Sequence, residues 1–390
     1  MTDHPDLSRL MSPDRRNPLV AVPVVVGAIL VVALALTWPG GEREIDLTQL
    51  GISSEAYRAR VTTVTDGPCS FATHVPCTAV LFTLLEGPTP GTVSLQEFED
   101  LPSTPRFADG EVVIMSYIPD APPSFQYQFA DRDRRGLLLG VTALFSLTVV
   151  AFGRMRGLAA LAGLAASVVV MLFYVVPAII QGSSPVLIAT IGASTIGFLA
   201  LYLSHGFRSL THVALVGTLG ALAITVALSG LVVAAARFSG FAGEESIYLS
   251  LVGDIDVRGL LLAGIVLGAL GALDDVTVTQ ASAVWEVSRA NRRLTAGELY
   301  RAGVRVGRDH IASTVNTLLL AYAGAAMPLL LLLTISQQGL SIIANSEIVA
   351  VEIVRTLVGS IGLVSAVPIT TLMAARVVSR LTDQELIDGH

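Results

Sequence analysis

The residues of this chain with most to offer chemically are two adjacent carboxylates, Asp274 and Asp275. They sit in the apolar run GLLLAGIVLGALGALDDVTVTQASAV, residues 259–284. That run is long enough to cross a bilayer core, which takes about 20 mostly apolar residues. A carboxylate at such depth costs on the order of 2.5–3.5 kcal/mol on insertion scales, and two side by side repel each other. Such a pair suits the binding and release of a proton or cation, with one acid holding an exchangeable proton. The competing reading is a polar cluster that glues helices together. Interhelical hydrogen bonds are worth only about 0.6 kcal/mol on average and about 1.7 at most. That reading fits Asn, Ser and Thr well and two adjacent acids poorly.

The oxygens to support such a site come from two helices. On the carboxylate helix Asp275, Thr279 and Ser282 lie along one stripe, and Asp274 and Thr277 along another. The next apolar segment begins near Arg308-Asp309-His310 on the same side of the membrane. Its Ser313, Asn316 and Thr317 stand at i, i+3 and i+4 and so share a face. At about 1.5 Å per residue they reach the depth of the two acids. Ser313, Asn316, Thr317 and Thr279 are therefore the expected supporting groups. Glu352 and Arg355, at i and i+3 near the outer end of the last helix, form a second polar site. It reads as a structural pair or a gate, roughly 10 Å or more from Asp274.

Two cysteines, Cys69 and Cys77, bracket CSFATHVPC. A disulfide on the oxidising side of a membrane is the favoured reading. A soft-metal site with His74 as third ligand is the alternative, but its spacing matches no zinc pattern. His4, His74, His205, His212, His310 and His390 form no ligand spacing, so no metal and no cofactor is expected. There is no P-loop, HExxH, nucleophile elbow or dinucleotide fingerprint. Ser313, His310 and Asp309 follow one another on one stretch of helix and cannot make a triad. The chain is not expected to be an enzyme.

The elements that must hold these groups are membrane helices. Of 390 residues, 53% are hydrophobic and only 14% charged, against roughly 25% charged in soluble proteins. All 24 basic residues are arginine, and no basic face recurs, so nucleic acid is not an expected partner. Apolar segments fall near 18–38, 136–152, 157–180, 185–204, 210–238, 259–283, 311–335 and 349–375. About eight transmembrane helices are expected, the first a retained anchor. Between the anchor and the bundle, 40–135 carries five β-branched stretches bounded by Gly and Pro. They suggest a small antiparallel barrel or sandwich, with an OB-like barrel a guess within that class. Arg15, Arg16, Arg154, Arg156, Arg208, Arg289, Arg292, Arg293, Arg301, Arg305, Arg376 and Arg380 all fall on one side if eight segments alternate. The short loops 181–184 and 336–348 have none, and 239–258 has only Arg258. This positive-inside pattern puts the tails 1–17 and 376–390 in the cytoplasm and the β domain outside. Residues 286–308 alternate Leu299, Ala302 and Val306 with Arg301, Arg305 and Arg308. They read as an amphipathic helix on the inner leaflet.

Three stretches carry a family resemblance: GALDDVTVTQASAVWEV, GRDHIASTVNTLLLAYAGAAMPLLLLL and NSEIVAVEIVRTLVGSIGLVSAVPIT. They resemble the YibE/YibF family of bacterial membrane proteins from about residue 136 to the C-terminus. The anchor and β domain fit the YibE-like front part, so one chain carries what some bacteria divide between two. The resemblance implies an integral protein of the bacterial inner membrane, described as a transporter or efflux component, and supplies no substrate. It implies one acidic position, for which Asp275 is the choice. A fainter similarity is to the SecF half of the resistance–nodulation–division superfamily, by layout alone. Two functions follow as expectations: an ion-coupled secondary transporter or exporter with Asp274 and Asp275 as coupling site, or a non-transporting scaffold whose external β domain binds a partner. Expected partners are the lipid bilayer, a proton or cation, an unknown substrate, and a protein partner or further copies of the chain.

Overall fold

The computed structural model describes residues 21–41, 55–70, 72–252, 255–337 and 339–381. The expected tail 1–17, with Arg15 and Arg16, lies outside them, as do His4 and His390. The chain divides into two compact units, Glu44–Ala151 and the remainder.

Among the described residues the first unit has five antiparallel strands: β1 Glu55–Cys69, β2 Ala72–Leu84, β3 Val93–Glu99, β4 Val112–Tyr117 and β5 Tyr127–Arg132. Their order in the sheet is β3-β2-β1-β4-β5. Alternation fixes one face as core: Ala59 and Val61, Val80, Phe82 and Leu84, Val113 and Met115 are all buried. Phe98, Phe107 and Phe129 close over Phe82. The edge strands β3 and β5 are bridged by one side chain. The Gln96 amide donates to Tyr127 O at 2.7 Å and accepts from Phe129 N at 3.1 Å. The sheet is thereby curled into a half-barrel, an order that fits a partly open five-stranded barrel. Cys69 and Cys77, both buried, are joined by a disulfide across the β1–β2 hairpin.

The second unit is helical. Its helices are α1 Ala21–Thr37, α2 Arg135–Val170 (which begins in the first unit), α3 Val176–Ile180, α4 Pro185–His205, α5 Ser209–Ala235 and α6 Glu244–Val252. After these come α7 Val257–Ala290, α8 Ala296–Ala325, α9 Met327–Ile335, α10 Leu340–Asn345 and α11 Glu347–Val378. At the centre, α5, α7 and α11 pack on one another. Small residues let them approach. Gly217 of α5 lies against Thr370 of α11, and Gly362 of α11 lies against Thr225 of α5. In each helix glycine and threonine stand the same distance apart, so the antiparallel pair interlocks twice. Thr218 of α5 and Thr277 of α7 share a hydrogen bond of 2.7 Å in the same layer.

Among the described residues five helical runs are long and apolar enough to cross a membrane, and the bent pair α8–α9, turned by 63°, would be a sixth. The expected count of eight differs for identifiable reasons. Two of the expected segments lie in the single run Arg135–Ile180, of 46 residues. Arg154, at φ 52° and ψ −128°, interrupts it. The described part of the expected anchor, α1, has 17 residues and falls short of a span. The expected surface helix 286–308 is not separate either. α7 runs to Ala290, and a capping box at Thr295 and Glu298 starts α8, which continues through Arg308 to Ala325.

Candidate functional site

α7 is the central strut. Asp256 caps it by accepting from Gly259 N at 2.8 Å. Its 34 residues reach about 51 Å at 1.5 Å each. Leu270, Leu273, Val276, Thr277, Gln280 and Ala281 are buried against the neighbouring helices. Neighbouring residues on a helix are turned by about 100°, and the two acids accordingly have different surroundings. Asp274 is half-buried, and its Oδ1 is buried with no hydrogen-bond partner among the described residues. The hydroxyl of Thr277, itself bonded to Thr218, donates to the backbone oxygen of Asp274 at 3.1 Å. Asp275 is 67% exposed, and its Oδ2 lies 3.8 Å from Nε2 of His310 on α8. That Nε2 is buried and has no hydrogen-bond partner among the described residues. One exposed partner and a long separation make this contact weak as a stabilising ion pair.

Below the acids Gln280 is almost fully buried. Its Nε2 donates to Gly303 O of α8 at 2.8 Å and to Thr371 Oγ1 of α11 at 2.7 Å. Gly303 and Gly307 form a small-xxx-small pair that lets α8 sit on Gln280, Thr371 and Val367.

Not all the expected supporting groups converge. Asp275 meets His310, and Gln280 meets Gly303, so Ser313, Asn316 and Thr317 do stand near the level of Asp274. Their face is different. Ile311 and Val315 pack toward α7, while Ser313, Asn316 and Thr317 are exposed, and Thr317 donates to Ser313 O at 3.0 Å. Thr279 is exposed as well. Among the described residues no hydrogen bond links these four to either acid. From the sequence His310 enters only as a triad or metal candidate, and Gln280 and the two glycines are not singled out. Leu299, Gly303, Gly307, Ile311 and Val315 recur every fourth residue, and that stripe marks the inward face of α8.

Glu352 and Arg355 do pair, at 2.8 Å and partly buried. The Arg355 guanidinium passes over Gly264 of α7, ten residues or about 15 Å from Asp274 along the helix. With Tyr322 and Glu245 they line a cleft of about 550 Å³ beside the α8–α9 bend. The Tyr322 hydroxyl lies where only a glycine, Gly268, leaves room. Among the described residues no group of three or more His, Cys, Asp or Glu could hold a metal ion.

A bundle of long apolar helices with ionisable groups at its centre, joined to a small β unit, defines a helical membrane protein. The family model for YibE/F-like proteins matches residues 141–380, and the chain belongs to that family. No curated protein and no solved structure matches it.

Proposed function

We propose that this protein is an ion-coupled secondary transporter or exporter, with Asp274 and Asp275 as the site that takes up and releases a proton or cation. The observation that carries this reading is the half-buried Asp274 carboxylate, one oxygen of which is buried and has no hydrogen-bond partner among the described residues. An unsatisfied buried acceptor is costly in a purely structural role. It is the state of a group that waits for a proton or an ion. Asp275 and His310 would connect that oxygen to the more exposed side of α7, and the Glu352–Arg355 pair would gate the far end. The chemistry is binding and release, without covalent catalysis. In this reading eight segments cross the inner membrane, with 136–152 and 157–180 counted separately. Both termini are cytoplasmic and the β unit lies outside, as the arginine distribution asks.

The test is flux in proteoliposomes under an imposed pH gradient, with a panel of ions and metabolites. Gradient-dependent movement of any of them supports the reading. No movement of any, in protein that is folded and correctly inserted, would favour a scaffold whose β unit binds a partner.

A further inference from the structure

A cleft away from the two acids, which the transport reading leaves unused, gathers positive charge. It measures about 550 Å³, and Arg156, Ser204, His205, Arg208, Thr211 and Ser282 line it. No carboxylate lines it among the described residues. The chain creates it by a tight turn. Gly206, at φ 73°, lets α4 end at His205 and α5 start at Ser209, so that His205 and Arg208 flank one opening. Arg156 comes from α2 and lines the same cleft as His205 and Arg208. Neither guanidinium has an ion pair among the described residues.

Two features at the floor point to an anion. α5 starts with Arg208 as N-cap and no side-chain cap, so its first amides are open and its dipole end is positive. In its first turn Thr211 is fully buried, and its hydroxyl has no hydrogen-bond partner among the described residues. A buried hydroxyl without a partner is rare and asks for an acceptor.

We propose that this cleft binds a phosphate-bearing anion. Arg156 and Arg208 grip its oxygens, the first amides of α5 donate to it, and the Thr211 hydroxyl donates from below. The phosphate group can belong to a free anion or to a lipid headgroup, and the two sources bind through the same atoms. The site is independent of the transport reading.

The test uses the purified full chain in two arms. In the first, delipidated protein in neutral detergent is titrated calorimetrically with inorganic phosphate at constant ionic strength. In the second, native mass spectrometry counts phosphatidylglycerol retained from mixed phosphatidylglycerol–phosphatidylcholine nanodiscs. One saturable phosphate group per chain is expected in at least one arm. Binding in the first identifies a free anion, and binding in the second alone identifies a headgroup. R156Q/R208Q should weaken it about tenfold to a hundredfold, and T211V about fivefold. R293Q, in a different loop, should leave it unchanged. No saturable binding in either arm would overturn the proposal. So would equal weakening by R156Q/R208Q and R293Q, or a T211V protein that binds as wild type.

Discussion

Replacing Gly307 by alanine tests the packing that holds α8 to the carboxylate helix. A Cβ there would lie 2.6 Å from Gln280 Oε1, 2.6 Å from Val367 Cγ1 and 3.2 Å from Gln280 Cδ. Real Cβ contacts do not come so close, so either α8 moves outward or Gln280 shifts. Overpacking of this kind costs about 1–3 kcal/mol. If Gln280 shifts, its bonds to Gly303 O and Thr371 Oγ1 are strained as well, at about 1 kcal/mol each. The helix gains back about 1 kcal/mol from losing a glycine. The net expectation is destabilisation by about 0–2 kcal/mol if α8 moves and by about 2–4 kcal/mol if Gln280 shifts. Gly230→Ala in α5 is the internal comparison, because nothing lies within 4 Å of its Cβ position. It should be neutral or stabilising by up to about 1 kcal/mol. Denaturation of both variants by sodium dodecyl sulfate in mixed micelles, followed by circular dichroism, measures the difference. Gly307→Ala as stable as Gly230→Ala would refute the close approach of α8 to Gln280.

Replacing Cys69 and Cys77 by alanine together should destabilise the β unit by about 2–3 kcal/mol, from the lost restraint on an eight-residue separation; two free thiols in the wild-type protein, denatured without reductant, would contradict the bond. The Ser70 amide and hydroxyl hold the Glu97 carboxylate below the usual range. A lowered folded value gives a contribution present above the unfolded value and lost as pH falls through the folded one. Acid unfolding of Glu97→Gln should therefore lose this component of the pH dependence, and an unchanged acid limb would count against the contact. Cysteines placed at Ser183 and Ser341 should react with impermeant maleimide in intact cells. Reaction only after permeabilisation would invert the proposed topology.

The sequence shows the parts of this molecule that depend on composition and period. Five β-branched runs become five strands in the same order, because alternation with one buried face leaves little freedom in register. The Asp pair stands out because charge in an apolar run is costly wherever the helix ends up. The sequence misleads where the answer depends on which face of a helix meets its neighbours. Ser313, Asn316 and Thr317 share a face, but polarity does not say whether that face turns inward, since a membrane helix has apolar surroundings on both sides. The small residues decide it: Gly303 and Gly307 bring α8 down on Gln280 and turn Asn316 away. The same close packing extends one continuous α8 through the arginine-rich stretch expected on the membrane surface. Arg154, with its positive φ, breaks a run whose composition alone marks only a charged connection.

In the proposed function Asp274 and Asp275 exchange an ion during transport. The direct measurement is gradient-driven flux in proteoliposomes reconstituted with wild type, Asp274→Asn, Asp275→Asn and the double variant, at matched insertion. Asparagine keeps the volume and removes the titration, so insertion should be near normal. Wild-type flux should respond to the pH gradient, and Asp275→Asn or Asp274→Asn should lose that response. Full gradient-driven flux in the double variant would contradict it and leave the pair a structural feature of α7.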